Sequence, residues 1–538
     1  MKLKSMPVFF LDLQTTGAKP DNSYILEMAY GSKHAETQSF LVEQPPEYEI
    51  PRRIQIITGV KTSDMKDAVP FPEAMKRLLN FIKTMSKLDN IVCVIHFAQF
   101  EKPFLAAAFE SIHADMPFTI LCTHDIAKRL LPNLPTRGIK GLSGYFGYDA
   151  GELKRSASHV DATKVIWSKL LETLEEKEVT TYEELQNWFI ETPKAKKTKY
   201  EYPLPKEKRL DLPKVPGIYR MLNFQGEVLY VGKATSLRDR VNSYFRGQKN
   251  RDPKKLEMLT QVYDLRVTPC ATPLEAALME TDEIKRLNPR YNISLKAARR
   301  SLAFFDKEFT SVSSTPDEFH MIGPFSNAMV FESMMKLSLY LNTIYKDGAL
   351  PDGDLFFEEL DPQLLKDGFE VFCLRHNFTP ETFASVRSMI AMGIIWQRRY
   401  DKELSESEEA ELELQEVELD DSAEIEEEIE EFNDLITVDD LADKFERHFM
   451  RIARAYMRVR KINRMLNADI EFSIANKAKR ILQVRNGIVY YAPVDHSEDS
   501  ENSWKDHSVE TYDRMTVLLT ELERIRSQNG NYHISFID

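Results

Sequence analysis

Val215-Pro-Gly-Ile-Tyr-Arg220 and, beyond the turn Gln225-Gly226, Val228-Leu-Tyr-Val-Gly-Lys233 decide how the middle of this chain is read. Both are apolar, tyrosine-containing runs of strand length joined by a glycine-containing turn, the pattern of a β-hairpin. Leu237, Val241, Tyr244 and Phe245 then recur at helical spacing, which predicts an amphipathic helix over 236–245. A separation of four places Arg240 and Tyr244 on one face of it. Thr272-Pro273-Leu-Glu275 has a capping threonine, proline at the first helical position and glutamate three residues after the cap, so another helix starts there. Along it Pro273, Ala277, Glu280, Ile284 and Leu287 share a stripe, and a carboxylate on an otherwise apolar face calls for a cation.

With Leu237-Arg-Asp-Arg-Val-Asn-Ser-Tyr-Phe245, Glu275-Ala-Ala-Leu-Met-Glu280 and Asn288-Pro-Arg-Tyr-Asn292, these motifs resemble the GIY-YIG nuclease domain over residues 213–298. The version is that of the UvrC excision-repair subunit and its shorter relative Cho. Residue by residue, the resemblance implies a catalytic set of Tyr219, Tyr230, Lys233, Arg240, Tyr244, Glu280 and Asn292, none of them substituted. Hydrolysing a phosphodiester needs an activated water and neutralised charge in the transition state. Glu280 is expected to hold one divalent ion, Mg²⁺ or Mn²⁺, and Arg240 to clamp phosphate through its guanidinium fork. Tyr230 is the expected general base, aided by the positive charge of Lys233. Tyr219, Tyr244 and Asn292 would position water and phosphate, with Arg238 and Arg290 as further DNA contacts. Singly, each tyrosine reads as a strand aromatic and Arg240 as a solvated helix residue. Their joint occurrence in order favours the site.

A second signal fills the first third of the chain. Val8-Phe-Phe-Leu11 ends in Asp12 and is followed by Gln14, Ile91–Ile95 leads to Glu101, and Ser158-His159-Val-Asp161 follows further on. These resemble the DEDD exonuclease fold of the polymerase III proofreading subunit, over residues 1–175. That family holds two metals with an Asp-x-Glu pair and two later aspartates, plus a histidine five residues before the last. Here Asp12 and Asp161 stand, but Gln14 and Glu101 replace two of the acids, Ser156 replaces the histidine, and His159 lies at another spacing. A neutral amide removes charge where two cations must sit. The expectation is an inactive exonuclease site serving as DNA-binding or scaffold.

The net charge of −14 argues against a nucleic-acid partner until it is located. Residues 403–440 hold 19 acidic residues and no lysine or arginine, which leaves the remainder at +5. That stretch reads as an acidic spacer, and the Pro-containing, lysine-rich stretch 176–212 as a basic linker. Phe445–Met465 reads as an amphipathic helix whose Arg454 and Arg458 are candidate phosphate contacts. Four scattered cysteines make neither a disulfide framework nor a metal site. No membrane-length apolar run or secretion signal is visible, so the expected location is cytoplasmic, with no membrane and no small-molecule cofactor.

The expected architecture is a multidomain α/β protein: an RNase H-like exonuclease fold, a small α/β GIY-YIG domain, a mainly helical region at 299–402, the spacer, and a basic helix with strands over 441–538. The expected function is a metal-dependent DNA endonuclease making a single-strand incision in nucleotide excision repair, 3′ of the lesion, with UvrA- and UvrB-type damage-recognition proteins as partners. The alternatives are a structure-specific or flap endonuclease outside repair, and a non-catalytic DNA-binding scaffold.

Overall fold

Val8–Thr15 (β1), apolar and buried along almost its whole length, centres the first sheet. It pairs antiparallel with β2 (Ile25–Ser32), which is antiparallel to β3 (Gln38–Leu41). On its other side β1 is parallel to β4 (Val92–Ile95), and β4 to β5 (Thr119–Cys122), giving the order β3-β2-β1-β4-β5. Parallel strands must be covered on both faces, and β1 alternates accordingly. Phe9 and Leu11 face a core closed by α2 (Phe71–Met85) and α3 (Glu101–Ser111), beyond the short helix α1 (Arg52–Thr58). Val8 and Phe10 face another core, closed by α4 (Thr123–Leu130), α5 (Ile139–Tyr145) and α6 (Ser156–Glu175). This is an exonuclease-like fold.

The computed structural model describes residues 1–33, 35–46, 48–85, 91–193, 200–246, 252–292, 301–326, 328–347, 362–380, 385–406, 437–474, 478–491 and 508–537. Contacts divide the chain into two units, Met1–Ala276 with Leu287–Ile293, and Ala277–Arg286 with Ser294–Asp538.

The stretch expected as a linker corrects in its first half. Thr181 caps α7 (Tyr182–Glu191) through a capping box with Glu184, and Leu185, Trp188 and Phe189, at helical spacing, pack on the core around Leu170 and Leu174. The lysines at 194, 196, 197 and 199 lie outside the described residues.

After α8 (Lys206–Leu210), the hairpin forms as expected: β6 (Gly217–Leu222) pairs with β7 (Val228–Ala234) around Gly226, whose φ of +83° suits glycine. An unforeseen third strand, β8 (Asp264–Pro269), makes the order β7-β6-β8, all antiparallel. Helices α9 (Leu237–Phe245) and α10 (Pro253–Thr260) bury Leu237, Val241, Phe245 and Met258 against Met221 and Leu229. Helix α11 (Pro273–Leu287) starts at the expected cap, with Glu275 N–H donating to Thr272 Oγ1.

In the second unit, the region expected to be mainly helical opens with a small sheet, β10-β9-β11, of β9 (Ala303–Phe305), β10 (Val312–Ser313) and β11 (Ile322–Phe325). Short strands separated by turn residues lack the length to show a period. Helices α12 (Met329–Asp347), α13 (Pro362–Arg375), α14 (Val386–Glu406) and α15 (Val438–Met465) follow. Their aromatic core joins Phe331, Phe369, Phe372, Phe445 and Phe449. Strands β12 (Ala468–Ser473), β13 (Arg480–Arg485), β14 (Ile488–Tyr490) and β15 (Asn531–Phe536), with α16 (Val509–Ser527), complete an antiparallel sheet β14-β13-β12-β15. The acidic stretch at 407–436 lies outside the described residues. No described helix is long and apolar enough to cross a membrane.

Candidate active site

The register of the hairpin sets Tyr219 opposite Gly232 and Tyr230 opposite Met221, so the two tyrosines are diagonal neighbours on one face. A Cβ at Gly232 would lie 2.4 Å from the Tyr219 ring, so glycine there lets the ring cross the strand. Tyr244 comes from α9. The three rings form a near-equilateral triangle, with centroids 6.1 Å (219–230), 6.1 Å (219–244) and 6.2 Å (230–244) apart.

Their hydroxyls are chained. Tyr219 and Tyr244 oxygens are 3.0 Å apart, and Tyr244 donates to Tyr230 at 3.4 Å. The Arg240 guanidinium carbon lies 5.3 Å from the Tyr244 ring centre. Because Tyr244 spends its proton on Tyr230, the Tyr219–Tyr244 bond is donated by Tyr219, and the half-buried Tyr230 stands at the accepting end. Burial, then the neighbouring Tyr244 and Tyr230, raise Tyr219 well above the usual phenol range, so it keeps its proton.

Asn292 is engaged with the backbone of β7. Its Oδ1 accepts from the Val231 N–H and its Nδ2 donates to the Val231 carbonyl, both at 2.9 Å, so it clamps the strand beside Tyr230. Arg290 is likewise engaged, in an ion pair with Asp149. Its motif suggested a DNA contact, and in the fold its half-buried guanidinium faces that carboxylate. Lys233 is half-buried at the end of β7, opposite Ile218, and Arg238 is half-buried in the first turn of α9. Glu280 is half-buried on α11 and belongs by its contacts to the second unit. Arg454 donates to Gln397 Oε1 at 3.0 Å, and Arg458 is half-buried with its Nε enclosed, so α15 uses part of its basic face within its own unit.

The polar residues of the N-terminal fold face one another. His159 Nδ1 meets Asp12 Oδ1 at 3.0 Å and Gln14 donates to the other Asp12 oxygen at 3.4 Å. Burial lowers the pKa of His159, but the hydrogen bond and charge of Asp12 outweigh it, so the ring is held above its usual range. Asp161 is engaged by Lys164 at 3.0 Å and Thr37 at 2.5 Å. Burial, then Asp12, push Glu101 up to about 9, so it is a neutral acid at pH 7. Ser156 is enclosed at the start of α6, its N–H donating to Glu27. Among the described residues no group of three or more His, Cys, Asp or Glu is placed to hold a metal. Sequence reading missed Lys164, which its separation of three from Asp161 on a helix would have revealed, and Thr37, which only the tertiary fold brings close.

The hairpin, the tyrosine triangle and the arginine define a GIY-YIG domain, joined here to an exonuclease-like N-terminal fold. Residues 215–293 match the family described as UvrC-like GIY-YIG domain, and that segment is such a domain. The chain is 28% identical over 340 residues to a putative bifunctional exonuclease/endonuclease protein of Mycobacterium tuberculosis, covering 60% of this chain and 51% of that protein. It is 44% identical over 93 residues to the UvrABC system protein C of Chlorobium phaeobacteroides, covering 17% and 15%. Among solved structures, the magnesium-bound GIY-YIG N-terminal endonuclease domain of UvrC from Thermotoga maritima is 31% identical, covering 16% of this chain and 94% of that one, at a TM-score of 0.15. The chain thus spans about half the length of the mycobacterial relative and a small part of the UvrC proteins.

Proposed function

We propose that the protein is a DNA endonuclease that cuts one strand during nucleotide excision repair, on the 3′ side of the lesion, using the tyrosine cluster with Glu280. The observation that carries this reading is the cluster of Tyr219, Tyr244 and Tyr230, whose hydroxyls are linked from Tyr219 through Tyr244 to Tyr230 with the Arg240 guanidinium beside the Tyr244 ring. A phenolate on Tyr230 would receive the Tyr244 O–H, which makes Tyr230 the member of the triangle suited to take a proton from water. Tyr219 stays protonated and fixes the polarity. Arg240, on the surface of α9, offers paired donors to phosphate.

The donor chemistry of Glu280 fits a divalent ion: it is a half-buried carboxylate, a hard oxygen ligand that suits Mg²⁺ or Mn²⁺ with the remaining positions taken by waters and phosphate. Such an ion would stabilise charge on the phosphate and the leaving oxygen. UvrA- and UvrB-type recognition proteins are the proposed partners, because the relatives bearing the UvrABC name share this domain.

The N-terminal fold is proposed to have no exonuclease activity. Asp12 and Asp161 already face His159 and Lys164, and Gln14 supplies no negative charge. Both readings are tested by cleavage of end-labelled duplex DNA carrying one bulky adduct, in Mg²⁺ or Mn²⁺, with and without UvrA and UvrB. A single nick near the adduct, lost in Glu280→Gln and kept in Asp12→Ala, is expected. DNA binding without a nick would favour the scaffold.

A further inference from the structure

Gly138-Ile-Lys-Gly-Leu142 on α5 plays no part in the site just described, yet it meets the nuclease domain. Leu142 is buried in the exonuclease-like core while Gly141 and Gly144 turn toward α10. A Cβ at Gly144 would lie 2.0 Å from Gln261 Oε1 and 2.5 Å from its Cγ, and one at Gly141 would lie 3.6 Å from Glu257 Cγ. Glu257 and Gln261, four apart, thus sit over a helix face kept bare by glycine, and Lys140 Nζ lies 3.7 Å from Glu257.

Both residues hold Tyr291. Gln261 Nε2 donates to the Tyr291 oxygen at 2.6 Å, and the Tyr291 O–H donates to Glu257 Oε1 at 2.7 Å. The Tyr291 N–H then donates to the Leu229 carbonyl at 3.0 Å, and Asn292 closes on Val231. Leu229 and Val231 flank Tyr230. An unbroken path of hydrogen bonds and packing therefore runs from the glycine face of α5 to the strand that presents Tyr230. Further contacts reinforce the seat: Tyr263 donates to the Tyr145 carbonyl, and Gln225, in the hairpin turn, to that of Gly147.

We propose that the exonuclease-like fold acts as a brace for the nuclease, with Gly144, Gln261 and Tyr291 as positioning residues for Tyr230. The proposal rests on the reading of Tyr230 as the reacting residue. Misplacing a reacting group by about 1 Å costs up to about a hundredfold in rate, so an activity effect is expected without loss of DNA binding.

The test compares full-length wild type, Gly144→Leu, Tyr291→Phe, which removes only the hydroxyl, and the surface control Lys169→Ala. Nicking kinetics on adduct-bearing duplex are read beside amide hydrogen exchange in residues 228–234. Expected are a kcat lowered about tenfold or more in both variants, KM within about twofold, and faster exchange in β7, with the control unchanged. If wild type nicks and both variants match its kcat, the brace is overturned and the nuclease reading stands. If wild type never nicks, the nuclease reading fails, and unchanged exchange in β7 would overturn the brace as well. Should Gly144→Leu not fold, Tyr291→Phe decides by the same two readouts.

Discussion

Asn292 closes both ends of its amide on one residue, accepting from the Val231 N–H and donating to the Val231 carbonyl at 2.9 Å each. A strand group at the edge of the β7-β6-β8 sheet is thereby paired by a side chain 61 positions away in sequence. Asn292→Ala leaves both backbone groups of a buried residue unpaired, at a cost on the order of 1–3 kcal/mol each. A lowered melting temperature and a fall in nicking rate are expected together. Normal stability with lost activity would instead make Asn292 a direct ligand of substrate.

The three tyrosines are expected to separate on substitution by phenylalanine. Tyr230→Phe removes the proton acceptor and should lower single-turnover nicking by about 10²-fold or more, while Tyr219→Phe leaves Tyr230 and Tyr244 in contact and should cost less. The raised pKa of Tyr219 has a stability consequence: the protonated form is favoured in the fold, so its contribution is full below about pH 10, the unfolded value, and is lost as pH rises beyond it. Urea unfolding between pH 9 and 11 should show a steeper loss in wild type than in Tyr219→Phe. Equal slopes would refute this.

Glu101, held at about 9, is protonated in the fold at neutral pH, whereas the unfolded chain releases that proton near pH 4.5. Its contribution is full below 4.5 and is lost as pH rises towards 9, so at pH 7 the acid costs on the order of 3 kcal/mol. Glu101→Gln should therefore raise the melting temperature at pH 7.5, with the gain fading below pH 5. A destabilised Glu101→Gln at pH 7.5 would mean the carboxylate is charged and partnered there.

His159 carries the opposite chemistry with the same sign. Its raised pKa makes the Asp12 pair stabilising below the unfolded value near 6.5, and that contribution is lost as pH climbs through the folded value. Asp12→Asn should remove this dependence. Melting curves of the two proteins from pH 5 to 8.5 are expected to converge at the alkaline end, and parallel curves would rule the pair out.

In the second unit, Lys285 and Asp513 form an ion pair at 2.6 Å with side-chain exposures of 6% and 1%. Removing one partner strands a buried charge, so Lys285→Met should cost about 3–5 kcal/mol, and Lys285→Met with Asp513→Leu should recover most of it. A double-mutant cycle by denaturant unfolding measures this. Strict additivity would show that the two charges do not interact.

The hairpin, α9 and α11 were legible because each is local: tyrosine-bearing apolar runs of strand length about a glycine turn, a helical stripe, and a threonine cap. The catalytic candidates Tyr219, Tyr230, Tyr244 and Arg240 were legible only through the family resemblance that these ordered motifs carry. Strand β8 was missed because Asp264-Leu-Arg-Val-Thr-Pro269 alternates over only two apolar residues, Leu265 and Val267, and ends in proline. Helix α7 was absorbed into a linker because its apolar stripe spans only Leu185 to Phe189. The pairing of Asn292 with Val231 was not legible, because a motif shows which residue is present and not what its amide faces.

What the sequence by itself determined is the identity and order of the chemical groups: three tyrosines, an arginine and a glutamate at nuclease spacing, and an acid set in the first third that lacks charge at Gln14. Residue type and short-range spacing are properties of the chain, and they survive without coordinates. Only the tertiary structure decided the direction of the hydroxyl chain, the pairing of Asn292 with Val231 and of Arg290 with Asp149, and the contacts of Asp12 with His159 and of Asp161 with Thr37. Each depends on groups that folding brings within hydrogen-bond reach across tens to hundreds of residues, where burial and competing partners, rather than sequence distance, select what every polar atom meets.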